Sequence, residues 1–187
     1  MKREAQEGLR ASDRRKRDTL HASRFTGVEQ DRWLQLAVRA LARSDRTTAQ
    51  IERLLTAKGA SPAQMRAAVR RLRSLRYLDD EAFAARWADR RLARIPMGRA
   101  RLQDELLATG CPDHIVQATL RATYRKMSER DLAMQVVKMA GRAGSSQGLG
   151  RLARLLNQRG FDEDTIETVM APLMRDGARD KREERDG

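Results

Sequence analysis

The sequence predicts an all-α protein made of three tandem three-helix repeats. A helix–glycine–helix pattern recurs around Gly59, Gly110 and Gly160, at spacings of 51 and 50 residues. Ile51, Leu102 and Leu152 stand eight residues before these glycines, and Leu55, Leu106 and Leu156 four before. Met65, Val116 and Ile166 stand six after, and Val69, Leu120 and Met170 ten after. Spacings of four put these side chains on one helical face in each half, and a fixed long period marks a repeat architecture. Composition agrees. Hydrophobic residues make up 40% of the chain but aromatics only 4%, which favours helices with modest cores over a β-sandwich or barrel.

Each glycine stands where a helix must end. A residue at positive φ commonly closes a helix, and there a Cβ costs about 1–2 kcal/mol while glycine costs nothing. Helix starts follow directly. Ser61-Pro62-Ala63-Gln64 is a capping box with proline at the first helical position, Pro112 takes that same position, and Asp162 caps the third copy.

Residues 1–28 are polar, carry the cluster Arg14-Arg15-Lys16-Arg17, and read as a basic, flexible or weakly helical N-terminal tail. The first repeat, 29–78, opens with a helix face of Trp33, Leu34, Ala37, Val38 and Leu41 that ends near Ser44-Asp45. Thr47-Thr48-Ala49-Gln50 starts its second helix with a capping box, and the third runs from Pro62 to about Arg76. The second repeat, 79–127, has helices over 81–95, 98–109 and 112–126, with Pro96 ending the first. The third, 128–175, begins at the capping pattern Ser128-Glu129-Arg130-Asp131 and breaks at a flexible loop, Gly141 to Ser146. Helices over 147–159 and 162–174 complete it, with Gly148 and Gly150 leading from loop to helix. Residues 176–187 alternate acids and bases, as in a frayed helix or a charged C-terminal tail.

The net charge is +13, from 39 Lys and Arg against 26 Asp and Glu, and nearly all the bases are arginine. It is unevenly spread. Residues 31–79 hold 11 bases against 4 acids and residues 80–127 hold 9 against 6, whereas residues 128–174 balance at 6 and 6. Such a surplus points to a polyanion, or to a partner assembled on one. Cys111 is the single cysteine, so no internal disulfide forms and a cytosolic location is expected. No run of 18 apolar residues marks a membrane span, and the charged N-terminus lacks the apolar core of a secretory signal.

Catalytic chemistry is not expected. There is no HExxH, CxxC, Walker A or GxGxxG pattern, and His21 and His114 lack metal-ligand spacing. The pairs Asp79-Asp80 and Asp104-Glu105 read as caps and solvated faces. No cofactor and no metal is expected, and the chain is read as a non-enzyme.

The basic face is the better lead. Arg66, Arg70 and Arg73 stand at i, i+4 and i+7 beside the apolar side of their helix, with Arg71 elsewhere on its surface. Arg90, Arg91 and Arg94 end one helix, and Arg99 and Arg101 open the next. Each alone reads equally as a solvated arginine whose stem covers apolar surface. Together they form a candidate binding surface. Phe83 and Trp87 share a stripe with Arg90 and Arg94, either as core or as a stacking platform.

Over residues 31–174 the chain resembles the RecX family, regulators of the RecA recombinase. The resemblance rests on Arg46-Thr47 through Lys58-Gly59, on Tyr77-Leu78-Asp79-Asp80 with Phe83-Ala84 and Trp87, and on Arg101-Leu102 with Glu105-Leu106. Gly98-Arg99 stands where members often have Gly-Pro, and Cys111 where Ile or Phe is common. The resemblance implies three-helix repeats in an elongated, curved array that binds the RecA–DNA filament along its groove. It also implies inhibition of filament growth, ATPase, strand exchange and co-protease activity, and so modulation of recombinational repair and the SOS response. The expected partners are the RecA filament and, through the basic face, single- or double-stranded DNA; the chain is expected to be a monomer without membrane attachment. A non-sequence-specific DNA-binding helical protein is the main rival reading, and a passive helical scaffold the third.

Overall fold

The structure, a computed structural model, describes the backbone of residues 32–141 and 146–183 and the side chains of 32–141 and 148–175. The expected N-terminal tail, 1–28, lies outside the described residues, as do 142–145 of the expected loop. Helix α1 covers residues 32–43. It is followed by α2 (Thr48–Ala57), α3 (Pro62–Ser74), α4 (Asp80–Arg94), α5 (Arg99–Ala108), α6 (Asp113–Lys126), α7 (Glu129–Ala140), α8 (Ser146–Gln158) and α9 (Glu163–Glu183). The described residues hold helices and their connections and no strand, so the all-α class is observed.

Two compact units divide between Asp79 and Asp80. In the first, α1 to α3 enclose Trp33, Ala37, Ile51, Leu55, Val69 and Leu72. Both expected capping boxes form. Thr47 Oγ1 accepts from Gln50 N–H at 3.1 Å, and Ser61 Oγ from Gln64 N–H at 3.3 Å. Between them Gly59 closes α2 at φ +90°. Its N–H donates to Thr56 O at 2.9 Å, and Ala60 N–H donates to Leu55 O at 3.0 Å, which satisfies carbonyls that the helix end leaves open.

In the second unit α4 to α9 share one core, running from Phe83 and Leu92 through Leu102, Leu106 and Val116 to Leu132, Val136, Leu156 and Met170. Fully burying one such side chain stabilises by about 1.5–3 kcal/mol. Helices on both sides of the expected boundary near residue 127 therefore contribute to a single core. Gly98 and Gly160 approach each other closely beside it. The Gly98 N–H donates to Arg159 O at 2.8 Å, and a Cβ on Gly160 would come to 2.5 Å from Arg101 N. Buried Tyr124 donates its hydroxyl to Met97 O at 3.0 Å, tying α6 to the same turn.

Local details differ from expectation. Pro112 is the N-cap of α6 and not its first helical residue; its carbonyl accepts from Ile115 and Val116 N–H, each at 3.0 Å. Gly148 and Gly150 lie inside α8, whose start precedes them at Ser146. Helix α9 does not stop at Met174 but continues to Glu183, through part of the expected charged tail. The Arg, Lys and Glu there have high helix propensity, which the single Gly177 does not outweigh.

Candidate functional site

The predicted arginines lie on α3 in the first unit and on α4 and α5 in the second. In the first, α3 buries Ala68, Val69 and Leu72 and turns Arg66, Arg70, Arg71 and Arg73 to solvent. The cause is the 3.6-residue period, which alternates apolar and basic positions along this helix. Arg73 Nη2 reaches Thr48 Oγ1 at 3.4 Å. The side chains of Arg66, Arg70 and Arg71 make no hydrogen bond or ion pair among the described residues. Four guanidinium groups thus stand on one helix with no carboxylate paired to them among the described residues.

In the second unit the residues 90–101 divide by role. Trp87, Arg90, Arg91, Ala93 and Arg94 of α4 line an open groove of about 720 Å³ with Glu105 and Ala108 of α5. Phe83 is core, whereas half-buried Trp87 packs on the core edge and borders this groove. Arg91 grips Glu105 with two hydrogen bonds, Nε to Oε2 at 2.6 Å and Nη2 to Oε1 at 3.0 Å. Arg101 Nε adds a third to Oε1 at 3.0 Å, and its Nη1 donates to Gln158 O at 2.8 Å. The Arg91 guanidinium, helped by Arg101 and opposed by partial burial, holds the Glu105 carboxyl below the usual carboxylate range. Arg91 is itself pushed up by the same hydrogen bonds.

Arg99 is also engaged. Its backbone N–H donates to Glu129 Oε1 at 2.8 Å, its Nε lies 3.8 Å from Glu129 Oε2, and its guanidinium covers the Tyr124 ring at 5.1 Å. Burial pushes the Glu129 carboxyl up, against the pull of the Arg99 backbone. So Arg91, Arg99 and Arg101 bind partners within the fold, while Arg94 makes no such contact among the described residues and Arg90 lies exposed at the groove. The nine candidates therefore do not form one uniform surface.

Two acidic residues have roles that their local sequence does not indicate. Glu105 is not a solvated face residue: its side chain is 21% exposed and clamped by two arginines. Glu129 does more than begin α7, since it also caps α5 thirty residues away. The i, i+4 spacing of Arg101 and Glu105 was readable; the partners at longer separation carried no local signal.

Among the described residues no group of three or more His, Cys, Asp or Glu is placed to hold a metal ion, and no helix is long and apolar enough to cross a membrane. Burial raises the Cys111 thiol, which disfavours the reactive thiolate.

No protein-family model matches the chain. It is similar to the regulatory protein RecX of Chlorobaculum tepidum, at 32% identity over 147 residues that cover 78% of this chain and 91% of that one. To the regulatory protein RecX of Geobacillus kaustophilus it is 28% identical over 141 residues, 73% of this chain; it spans about half of that relative, 52%. Its fold is similar to the crystal structure of RecX from Lactobacillus salivarius, with a TM-score of 0.70, 18% identity, and coverage of 79% of this chain and 97% of that one. A second crystal structure, of a regulatory protein RecX, gives a TM-score of 0.65 at 18% identity and covers 76% and 71%.

Proposed function

The chain belongs to the RecX family of regulatory proteins, and we propose that it binds the RecA recombinase assembled on DNA and inhibits filament growth. ATPase, strand exchange and co-protease activity fall with the filament, so recombinational repair and the SOS response are modulated. The reading needs no catalytic group and no cofactor, and it places the chain in the cytoplasm as a monomer of three tandem helical modules. One observation carries it: Arg66, Arg70 and Arg71 project from a single helix without a counter-charge among the described residues. Clustered like charges repel one another, and an anionic partner converts that repulsion into attraction.

The second reading is direct DNA binding, which the same arginines favour. A phosphate binder loses affinity steeply with salt, by about 0.9 in log–log slope per phosphate neutralised, and binds DNA as well without recombinase as with it. Titrating the chain into RecA ATPase on single-stranded DNA distinguishes the two. Inhibition of the ATPase is expected, and inhibition well below one molecule per recombinase would favour capping of the filament end. Arg66→Glu with Arg70→Glu should abolish it while leaving the helical circular dichroism intact; full inhibition by that variant rules the basic face out.

A further inference from the structure

The turn after α3 places a non-glycine residue at the left-handed position that glycine takes after other helices. Beyond α2, α5 and α8 the closing residue is glycine, at φ +90°, +87° and +75°. Beyond α3 it is Arg76 at φ +58°, the single non-glycine residue with positive φ among the described residues. The hydrogen bonds are those of the same closing motif. Arg76 N–H donates to Arg73 O at 3.0 Å and Tyr77 N–H to Leu72 O at 2.9 Å, just as Gly59 and Ala60 donate to Thr56 and Leu55. Glycine would make this turn without a Cβ penalty, so arginine here works against local stability. Strained backbone of this kind concentrates at functional surfaces.

Its neighbours give a second, independent sign. Leu75 is 42% exposed and Tyr77 55%, whereas Leu78 is 5% exposed and anchors the segment in the core. Two large apolar side chains thus flank the residue whose backbone is strained. One turn back stand Arg70 and Arg71, exposed and without a partner among the described residues. An aromatic and an arginine inside a polar rim is the composition of energetically dominant protein contacts. Compensation of the helix dipole does not account for Arg76, because Arg71 and Arg73 already supply cations in the last turn of α3.

We propose that Leu75-Arg76-Tyr77 is the tip of a protein-docking surface that enters an apolar, acid-rimmed recess on the recombinase, with Arg70 and Arg71 on its rim. This rests on the function proposed above and names protein, not nucleic acid, as the occupant at the tip. Phosphates recruit arginine and bases stack on tyrosine, but neither rewards an exposed leucine. An apolar recess uses all three side chains.

The test compares the full chain with Arg76→Gly and with the triple variant Leu75→Ser, Arg76→Gly, Tyr77→Ser. RecA ATPase inhibition on single-stranded DNA, affinity for the same DNA without recombinase, and thermal melting are measured for each. Arg76→Gly is expected to melt at or above the wild-type temperature yet inhibit roughly tenfold less well, as loss of a dominant contact does. The triple variant is expected to lose inhibition, with DNA affinity in both variants unchanged; if it melts early, Arg76→Gly alone decides. Wild-type inhibition by the variants overturns the tip and leaves the proposed function standing. A parallel loss of DNA affinity assigns the tip to nucleic acid and overturns it too. Failure of the wild-type chain to inhibit overturns the function and the tip together.

Discussion

Gly98 and Gly160 touch backbone to backbone. The nearest atom to a Cβ built on Gly98 is the carbonyl oxygen of Gly160, well inside van der Waals contact, and Gly98 N–H donates to the adjoining Arg159 O at 2.8 Å. This contact brings the start of α5 against the α8–α9 turn, and neither glycine has a side chain to spare.

Gly98→Ala is therefore expected to destabilise by about 3 kcal/mol, since backbone atoms cannot yield as a flexible side chain does. Gly150, inside α8 with nothing within 4 Å of its Cβ position, is the matched control. There alanine should stabilise by about 0.5–1 kcal/mol through helix propensity. Urea denaturation of both variants checks the pair, and equal effects would refute the close approach.

At Gly59 the space is open but the backbone is left-handed. Gly59→Ala should cost about 1–2 kcal/mol from conformational strain alone, and β-branched valine more. A Gly59→Val protein with undiminished thermal stability would show that the turn has another geometry in solution.

Glu105 and Glu129 should give stability profiles of opposite sign with pH. The folded Glu105 carboxyl lies low, so its contribution is present above the unfolded value of about 4.3 and is lost as pH falls through the folded value. Glu105→Gln should cost about 2 kcal/mol at neutral pH, with the gap closing in acid. The folded Glu129 carboxyl lies high, so its contribution is complete below about pH 4.3 and is lost as pH rises through the folded value. Glu129→Gln should gain on the wild type as pH rises from about 4 to 7. Denaturant titrations across that range check both, and parallel curves would contradict the assignment.

The arginines of α4 should separate by substitution. Arg91→Ala leaves Glu105 with Arg101 alone and should lower stability by about 1–2 kcal/mol. Arg94→Ala removes no internal contact among the described residues and should leave melting within about 0.5 kcal/mol of wild type. Any loss of RecA inhibition in the Arg94 variant then reports binding and not folding.

Most of the local structure was readable in advance because its causes are local. The boxes at Thr47 and Ser61, the caps at Ser128 and Asp162, and positive φ at Gly59, Gly110 and Gly160 all follow from residues within one or two turns of each other. The end of α9 was not readable, because nothing between Met174 and Glu183 stops a helix strongly enough. The candidate site was readable only as positions. Periodicity placed Arg66 and Arg70 on the outer face of α3, yet it could not distinguish Arg94 from Arg91, whose partner Glu105 stands 14 residues further on. Nor did it mark Arg76, whose identity is ordinary and whose φ is not.

By itself, then, the sequence determined the helices, their caps and the inward face of each, since these depend on hydrogen bonds and side-chain periods that span a few residues. Tertiary structure alone decided that α4 to α9 share one core, that Gly98 meets Gly160, that Glu105 holds Arg91 and that Glu129 holds Arg99. Those outcomes depend on groups 14 to 62 residues apart, whose approach is fixed only when the helices pack.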